Sequence, residues 1–205
     1  FLYVADHTST KLPWYYSASA FWGGQEGSLL LWLLVLTGFS AIAVFLQRRA
    51  HDLIAWVVPV LSLCGAFFAF LLVAVTSPFK TQVAPVEGFG LNPSLQNPYM
   101  VAHPPMLYLG YVGFTLPFAF GMAALITGRF GEGWLADIRR ATLVAWVFLT
   151  IGIVLGAWWS YEVLGWGGYW AWDPVENAAL LLWLTATAYV HSIIVQDRRG
   201  LFRVW

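Results

Sequence analysis

The chain has 205 residues, of which 60% are hydrophobic and only 10% are charged, and its formal net charge is zero. Soluble domains carry charge on about a quarter of their residues, so this composition excludes an ordinary water-soluble protein. It predicts an all-α integral membrane protein, a polytopic helical bundle, with membrane lipid as a partner and no nucleic acid.

Five stretches contain no Asp, Glu, Lys or Arg, and each is long enough to cross the bilayer core, which takes about 20 helical residues. They cover residues 27–47, 53–79, 88–128, 141–161 and 177–196. Within them we predict transmembrane helices near residues 28–46, 53–76, 104–127, 141–157 and 177–196. The single cysteine, Cys64, lies in the second helix, where we expect a small buried hydrophobic residue.

Positive charges orient these helices. Eight arginines fall on one side: Arg48, Arg49, Arg129, Arg139, Arg140, Arg198, Arg199 and Arg203. The other side carries only Lys11 and Lys80. Because positively charged loops face the cytoplasm, we predict that the arginines are cytoplasmic and that the opposite segments lie outside.

This topology divides the chain into four parts. We predict an outside segment over residues 1–27, transmembrane helices over 28–157 with an outside loop at 77–103, an outside aromatic loop over 158–177, and a last helix with a cytoplasmic end over 178–205. The chain begins at Phe1 without the basic and apolar regions of a signal peptide, so we expect it to be part of a longer protein.

The third predicted helix follows the tripeptide His103-Pro104-Pro105. Tandem prolines suit the first turn of a helix but not its interior, so we predict that the helix begins at Pro104, with His103 at its outer mouth. Neutral imidazole is a common axial ligand of haem iron. The alternative is a histidine that caps the first turn, and residue type and location leave both interpretations open.

An aromatic segment, residues 158–172, precedes the fifth helix. Its sequence WWSYEVLGWGGYWAW contains two tyrosines, three glycines and five tryptophans, Trp158, Trp159, Trp166, Trp170 and Trp172. Such rings stack against planar π-systems, so we predict a flat, flexible platform for a ligand such as a porphyrin. The alternative is the aromatic belt of a membrane interface.

The fifth helix has a recognisable start. Asp173, Pro174 and Glu176 occupy positions typical of N-cap, N1 and N3, so helix capping is the predicted main role of both carboxylates. Asn177 could cap or orient, and the sequence does not decide between these roles.

His191 lies inside the fifth helix, about 21 Å below Asn177. An ionisable side chain at this depth is costly, which favours haem or metal ligation over an interhelical hydrogen bond or a headgroup position. His103 and His191 should differ in depth by roughly 20 Å. Two imidazoles on one iron have nitrogens only about 4 Å apart, so these histidines cannot share a haem. If both are ligands, there are two haem sites, and any second histidine ligand lies elsewhere, with His7 of the outside segment as a candidate that nothing in the sequence fixes in position.

Three segments resemble a known family. WGGYWAWDPVENAALLLWLTATAYVHS resembles the tryptophan-rich WWD signature of haem-handling membrane proteins, and its DPVEN continuation is similar to the CcmF branch, the haem lyase subunits of cytochrome c maturation. LNPSLQNPYMVAHPPMLYLGYVGF and WGGQEGSLLLW are similar to two further regions of CcmF proteins.

The resemblance implies a function in cytochrome c-type biogenesis, in a bacterial inner membrane with the aromatic segment on the periplasmic side, or in the inner membrane of an organelle. Haem from the chaperone CcmE would be bound by His103 and the aromatic segment with Asp173, and attached by thioether bonds to the C-x-x-C-H cysteines of apocytochrome c. His191 would ligate a resident haem b, and the second histidine of each pair would lie in later helices. Other maturation subunits are expected partners, and the chain alone is expected to be inactive.

No residue is assigned as catalytic, because thioether formation needs orientation more than acid–base groups. Two other functions remain as alternatives: a membrane b-type cytochrome that carries electrons from quinol through a His191 haem, and a haem transporter. The lack of any C-x-x-C-H motif means that the chain is not itself an acceptor of covalent haem.

Overall fold

The structure, a computed structural model, describes residues 1–46, 51–128 and 133–199, except for the side chains of residues 51–52, 133–137 and 197–199. Within these ranges all regular structure is helical. The α-helices are α1 (Leu2–His7), α2 (Trp14–Ser19), α3 (Gln25–Leu46), α4 (His51–Phe70), α5 (Pro98–Gly113), α6 (Thr115–Thr127), α7 (Gly133–Val163) and α8 (Pro174–Arg199). Four of the predicted cytoplasmic arginines lie outside the described residues: Arg48, Arg49, Arg129 and Arg203.

Five helical segments are long and apolar enough to span a membrane, which confirms the predicted polytopic all-α architecture. They are Gln25–Leu46, Leu53–Val75, Pro98–Thr127, Ile138–Val163 and Pro174–Gln196. The second span continues α4 through a π-helical turn, and the third joins α5 to α6 at Phe114.

The third span begins six residues before the predicted start at Pro104. Asn97 is the N-cap, where its side-chain oxygen accepts the N–H of Tyr99 at 2.8 Å, and Pro98 occupies the first helical position. This pair is the stronger start signal, and membrane helices tolerate internal prolines because their neighbours compensate for the lost hydrogen bonds. The prediction that His103 lies at the helix mouth was therefore wrong, because His103 lies inside α5.

The fourth span extends past the predicted end near residue 157. α7 continues to Val163, so Trp158 and Trp159 are helical and the connection to α8 comprises only residues 164–173. No glycine or proline interrupts the chain between Gly156 and Gly165, so nothing in the sequence stops the helix there.

Glycines bring α5 and α7 into close contact. A Cβ atom on Gly152 of α7 would lie 2.6 Å from the backbone nitrogen of Leu107, and one on Gly113 of α5 would lie 2.9 Å from the Cβ of Ala145. Small residues let membrane helices approach closely, because packing rather than the hydrophobic effect holds helices together in lipid. The result is a tight antiparallel pair.

A buried hydrophobic cluster is built from residues of α3 to α7: Leu36, Val57, Leu61, Val112, Ala119, Phe120, Ala123 and Ile138. Cys64 is a free, partly buried thiol packed against this cluster, close to its predicted role. α8 contributes no residue to the cluster and packs against α7.

The segments predicted to lie outside the membrane meet at one end of the bundle. Phe89 of the α4–α5 connection donates its N–H to the carbonyl of Ala5 at 2.8 Å. The indole N–H of Trp159 donates to the carbonyl of Ser94 at 2.9 Å. The N-terminal segment, the α4–α5 loop and the aromatic segment therefore lie together at one end of the bundle, which we call the loop end.

Candidate functional site

His103 is held between α5 and α7. Its Nδ1 lies 2.7 Å from the carbonyl oxygen of Gly152. Because a carbonyl only accepts, Nδ1 carries the proton and Nε2 keeps its lone pair. The ring is nearly parallel to that of Trp159, with an interplanar angle of 14° and centroids 6.4 Å apart. The alternative role as a helix cap was wrong, since Asn97 caps α5.

Gly156 gives the His103 ring its space. A Cβ atom at Gly156 would lie only 2.5 Å from Cε1 of His103, so any side chain there would displace the imidazole. Sequence reasoning missed the role of Gly152 and Gly156. Their spacing in an apolar helix, a G-x-x-x-G pattern, is a recognisable signal for close helix contact.

His191 lies on an exposed face of α8. Its Nδ1 is 2.8 Å from the carbonyl oxygen of Thr187, one turn earlier in the same helix, so it too carries the proton on Nδ1. The sequence left open a hydrogen bond from His191 to another helix. In the structure the ring bonds instead within α8. Nε2 keeps its lone pair on a face that the described residues leave uncovered.

Both histidines fit axial ligation of haem iron. Metal-ligating histidines usually donate their second ring N–H to a carbonyl or carboxylate, which fixes the tautomer and the orientation of the ring. His103 and His191 each make such a bond. Among the described residues no group of three or more His, Cys, Asp and Glu side chains could hold a metal ion.

The two histidines lie at different depths. In the antiparallel α7–α8 pair, Trp183 of α8 bonds to Thr150 of α7, so His191, eight residues on, lies level with residue 142. The carbonyl that binds His103 is ten residues along α7 from that level, a separation of roughly 15 Å along the helix axis. This is shorter than the predicted 20 Å, but it still excludes a shared iron.

The rings of the aromatic segment do not form the flat surface that we predicted. Tyr161 and Tyr169 stack in parallel, with centroids 4.4 Å apart and an interplanar angle of 7°, whereas Trp170 and Trp172 are nearly perpendicular at 80°. Helical geometry also separates Trp158 from its neighbour Trp159 by about 100° around α7. The segment offers several separate aromatic edges and faces.

The tryptophans of the aromatic segment differ in exposure. Trp158, Trp166 and Trp172 are 47%, 46% and 70% exposed, so these three rings are available for a ligand or a partner. Trp170 is partly buried, and its indole N–H has no acceptor among the described residues. Buried donors normally have a partner, so this one suits an acceptor such as a carboxylate of a bound group.

Trp172 has a strained backbone that polar side chains hold in place. Its φ of 60° is the only positive value for a non-glycine residue in the described chain. The carboxylate of Glu176 accepts the N–H groups of Ala171 at 2.7 Å and Trp172 at 2.9 Å, and the Asn177 amide donates to the Trp172 carbonyl at 3.0 Å. Strain of this kind persists only where the surroundings impose it, and it is common at functional sites.

Asp173 is the N-cap of α8, as predicted. Its Oδ1 accepts the N–H of Glu176 at 2.7 Å, and α8 begins at Pro174. The DPVEN sequence thus has two roles: Asp173 caps the helix, while Glu176 and Asn177 fix the last residue of the aromatic segment. Asn177 therefore orients the loop, a choice that the sequence had left open.

Comparison with known proteins gives concordant matches. The model of the cytochrome c assembly protein family matches residues 22–205. The chain is 48% identical to the cytochrome c-type biogenesis protein CcmF of Pseudomonas aeruginosa, over 99% of this chain and 31% of that protein. It is 46% identical to CcmF of Escherichia coli (strain K12), over 99% of this chain and 32% of that protein.

A related protein with another name matches almost equally well. The chain is 44% identical to the cytochrome c-type biogenesis protein NrfE of Haemophilus influenzae, over 99% of this chain and 32% of that protein. No solved structure matches. The chain spans about a third of the length of these curated relatives. It belongs to the cytochrome c assembly protein family.

Proposed function

We propose that the protein acts in cytochrome c-type biogenesis as a haem lyase-type subunit. His103 and the aromatic segment would hold haem received from the chaperone CcmE, and His191 would ligate a resident haem b. One observation carries the proposal: each histidine donates its Nδ1–H to a backbone carbonyl and keeps Nε2 free for iron, at two separate depths. Related proteins named for cytochrome c-type biogenesis support it.

Orientation is the contribution we assign to this chain. In the attachment reaction a cysteine thiol of apocytochrome c adds across each haem vinyl group, so the haem and the thiol supply the reacting atoms. The protein would hold iron through His103 and stack the macrocycle edge near Trp159. Exposed rings at Trp158, Trp166 and Trp172 would then flank the bound haem, and Asp173 and Glu176 would keep the loop in shape. Holding two reactants in the productive geometry lowers the entropic part of the barrier.

The location that fits this role is a bacterial inner membrane, or the inner membrane of an organelle, with the aromatic segment on the periplasmic or equivalent side. CcmE, apocytochrome c and other maturation subunits would then meet the protein at the end of the bundle that gathers the three outside segments. The second axial ligand of each haem would come from the remainder of the longer protein.

The decisive experiment is the reduced-minus-oxidised absorption spectrum of the full-length protein in detergent. We expect a b-type spectrum that His191→Ala abolishes and His103→Ala preserves, because the two sites are separate. His7→Ala is the matched control, since its ring also bonds a backbone carbonyl, that of Tyr3 at 2.9 Å, but lies in the outer segment. A spectrum that survives in His191→Ala would overturn the assignment of the resident haem.

The alternatives receive no specific support. Electron transfer from quinol across the membrane requires several haem ligands stacked through the bilayer, and the described spans supply two histidines, His103 and His191. A haem transporter requires a polar path, and the described helices meet through an apolar cluster.

A further inference from the structure

Four linked hydrogen bonds join α7 and α8: two cross between the helices, and two anchor the accepting hydroxyls within their own helices. The indole N–H of Trp146 donates to the hydroxyl of Thr187 at 2.8 Å, and that hydroxyl donates to the carbonyl of Trp183 at 2.7 Å. In return, the indole N–H of Trp183 donates to the hydroxyl of Thr150 at 2.8 Å, and Thr150 donates to the carbonyl of Trp146 at 2.7 Å. We call these four residues the tryptophan–threonine clasp.

The clasp fixes both the depth and the rotation of α8. The two indole rings stack at an interplanar angle of 21°, with centroids 6.0 Å apart, so aromatic stacking adds to the hydrogen bonds. In a bilayer no water replaces a lost bond, and hydrogen bonds between helices therefore oppose sliding. A shift of α8 by a single turn would separate both indole donors from their hydroxyl acceptors, while each hydroxyl would keep its bond to a carbonyl of its own helix.

His191 is bonded directly to the clasp. The hydroxyl of Thr187 ties α8 to α7, and the carbonyl of the same residue accepts the Nδ1–H of His191 at 2.8 Å. On the other side of the site, His103 takes its position from Gly152, two residues after Thr150 on α7. Contacts with α7 therefore set the positions of both imidazoles.

We propose that the tryptophan–threonine clasp is a positioning device for His191, which sets the depth and direction of its Nε2 relative to His103. The inference rests on the proposed function, in which His191 ligates a resident haem. Polar partners of a metal-bound histidine commonly change metal affinity by about 10- to 100-fold when they are removed. The clasp goes beyond such a partner, because it positions the helix that carries both the histidine and its hydrogen-bond acceptor.

The test replaces both hydroxyls in the full-length protein, as the Thr150→Val, Thr187→Val double variant. Valine keeps the branched shape and removes the hydrogen bonds. We expect haem to be transferred to apomyoglobin about 10- to 100-fold more readily than from the parent protein, together with a shifted midpoint potential and a broadened α band. The Thr150→Ser, Thr187→Ser variant should restore all three properties.

Thr185→Val is the matched control. Its hydroxyl bonds only to carbonyls within α8, those of Leu181 and Leu182 at 3.0 and 2.9 Å, so its loss should leave the haem unchanged. If the valine pair does not accumulate, Trp146→Phe removes a single indole donor, keeps an aromatic ring and should shift the potential in the same direction.

The outcomes separate the two proposals. Haem retention and potential equal to the parent protein in the valine pair, or in Trp146→Phe, overturn the role of the clasp while the resident haem stands. An unchanged spectrum in His191→Ala overturns the proposed function, and with it the reason for positioning His191.

Discussion

At the scale of single residues, Trp172 shows how the aromatic segment is kept in one shape. Its left-handed backbone would relax in an isolated loop, because a bulky side chain disfavours positive φ. Glu176 holds the N–H side of this residue and Asn177 holds its carbonyl side. The acidic residue that resembles a simple helix-start signal is therefore also the clamp for the most exposed tryptophan of the segment.

Glu176→Ala should loosen the aromatic segment. It removes the acceptor of two backbone N–H groups, so we expect the free energy of local opening to fall by about 1 kcal/mol or more. Hydrogen exchange of peptides covering residues 164–175 measures this, and the amides of Ala171 and Trp172 should exchange faster. Glu176→Gln is the control, because one oxygen of Glu176 accepts both bonds and the glutamine oxygen can replace it. Equal exchange in all three proteins would contradict the clamp.

At the scale of elements, α7 is the helix on which the site is built. Its glycines accommodate His103 on one side, its clasp residues Trp146 and Thr150 hold α8 on another, and its last turns carry Trp158 and Trp159. Direct packing of α5 on α7 explains why His103 needs no polar side chain as partner: a backbone carbonyl serves instead.

Gly156→Ala should displace His103 without removing it. The new methyl group would overlap the imidazole, and such overpacking costs about 1–3 kcal/mol. We expect a lower melting temperature in detergent and weaker binding of added haem at the proposed His103 site. The spectrum of the haem b proposed at His191 should be retained. Gly38→Ala is the control, since a Cβ there meets no atom within 4 Å, and alanine is favoured over glycine in a helix. Identical melting and haem binding in both variants would argue against the packing role.

At the scale of the whole molecule, hydrogen bonds hold together the segments at the loop end of the bundle. The Tyr3 hydroxyl accepts the N–H of Gly24 at 3.0 Å, and its single proton lies between the carbonyls of Ala20 and Phe21, each 3.0 Å from the hydroxyl oxygen. Burial raises the pKa of Tyr3, so its hydroxyl stays protonated and can donate. The first helix is in this way fastened over the start of α3, beside the loop that leads to α5.

This end should loosen in acid. Hydrogen bonds from the hydroxyl and the N–H of Thr10 hold the pKa of Glu87 below its ordinary value. A lowered carboxyl pKa contributes stability that is present above the unfolded pKa, about 4.3, and is lost as the pH falls through the folded value. Limited proteolysis of residues 1–24 between pH 7 and pH 3 should therefore accelerate at the acid end.

Glu87→Gln is the comparison for that experiment. The amide cannot ionise, so the acid-induced acceleration attributable to this contact should be absent, and cleavage should already be faster at pH 7. The same pH profile in both proteins would show that Glu87 does not fasten the segment.

The sequence by itself determined the number of spans, the meeting at one end of the three segments that it predicts to lie outside, and the cap of α8. These features follow from local signals: uncharged stretches long enough to span a bilayer, the uneven distribution of arginine between the two ends of the helices, and the Asp173-Pro174 pair. The start of α5 and the end of α7 were misplaced, because Asn97 outweighs the later prolines and no residue breaks the helix before Gly165.

Only the tertiary structure decided how the site is assembled. The partner of His103 and the clasp beside His191 depend on which residues meet across helices. A local pattern such as Gly152 and Gly156 marks a close helix contact but does not say which helix is the partner. The clamp on Trp172 is local, but it depends on a backbone shape of the loop that the residue types do not specify. The sequence could name the two histidines and the tryptophans. Their tautomers, their separation and the angles between their rings follow from the close approach of α5 to α7 and the locked register of α8.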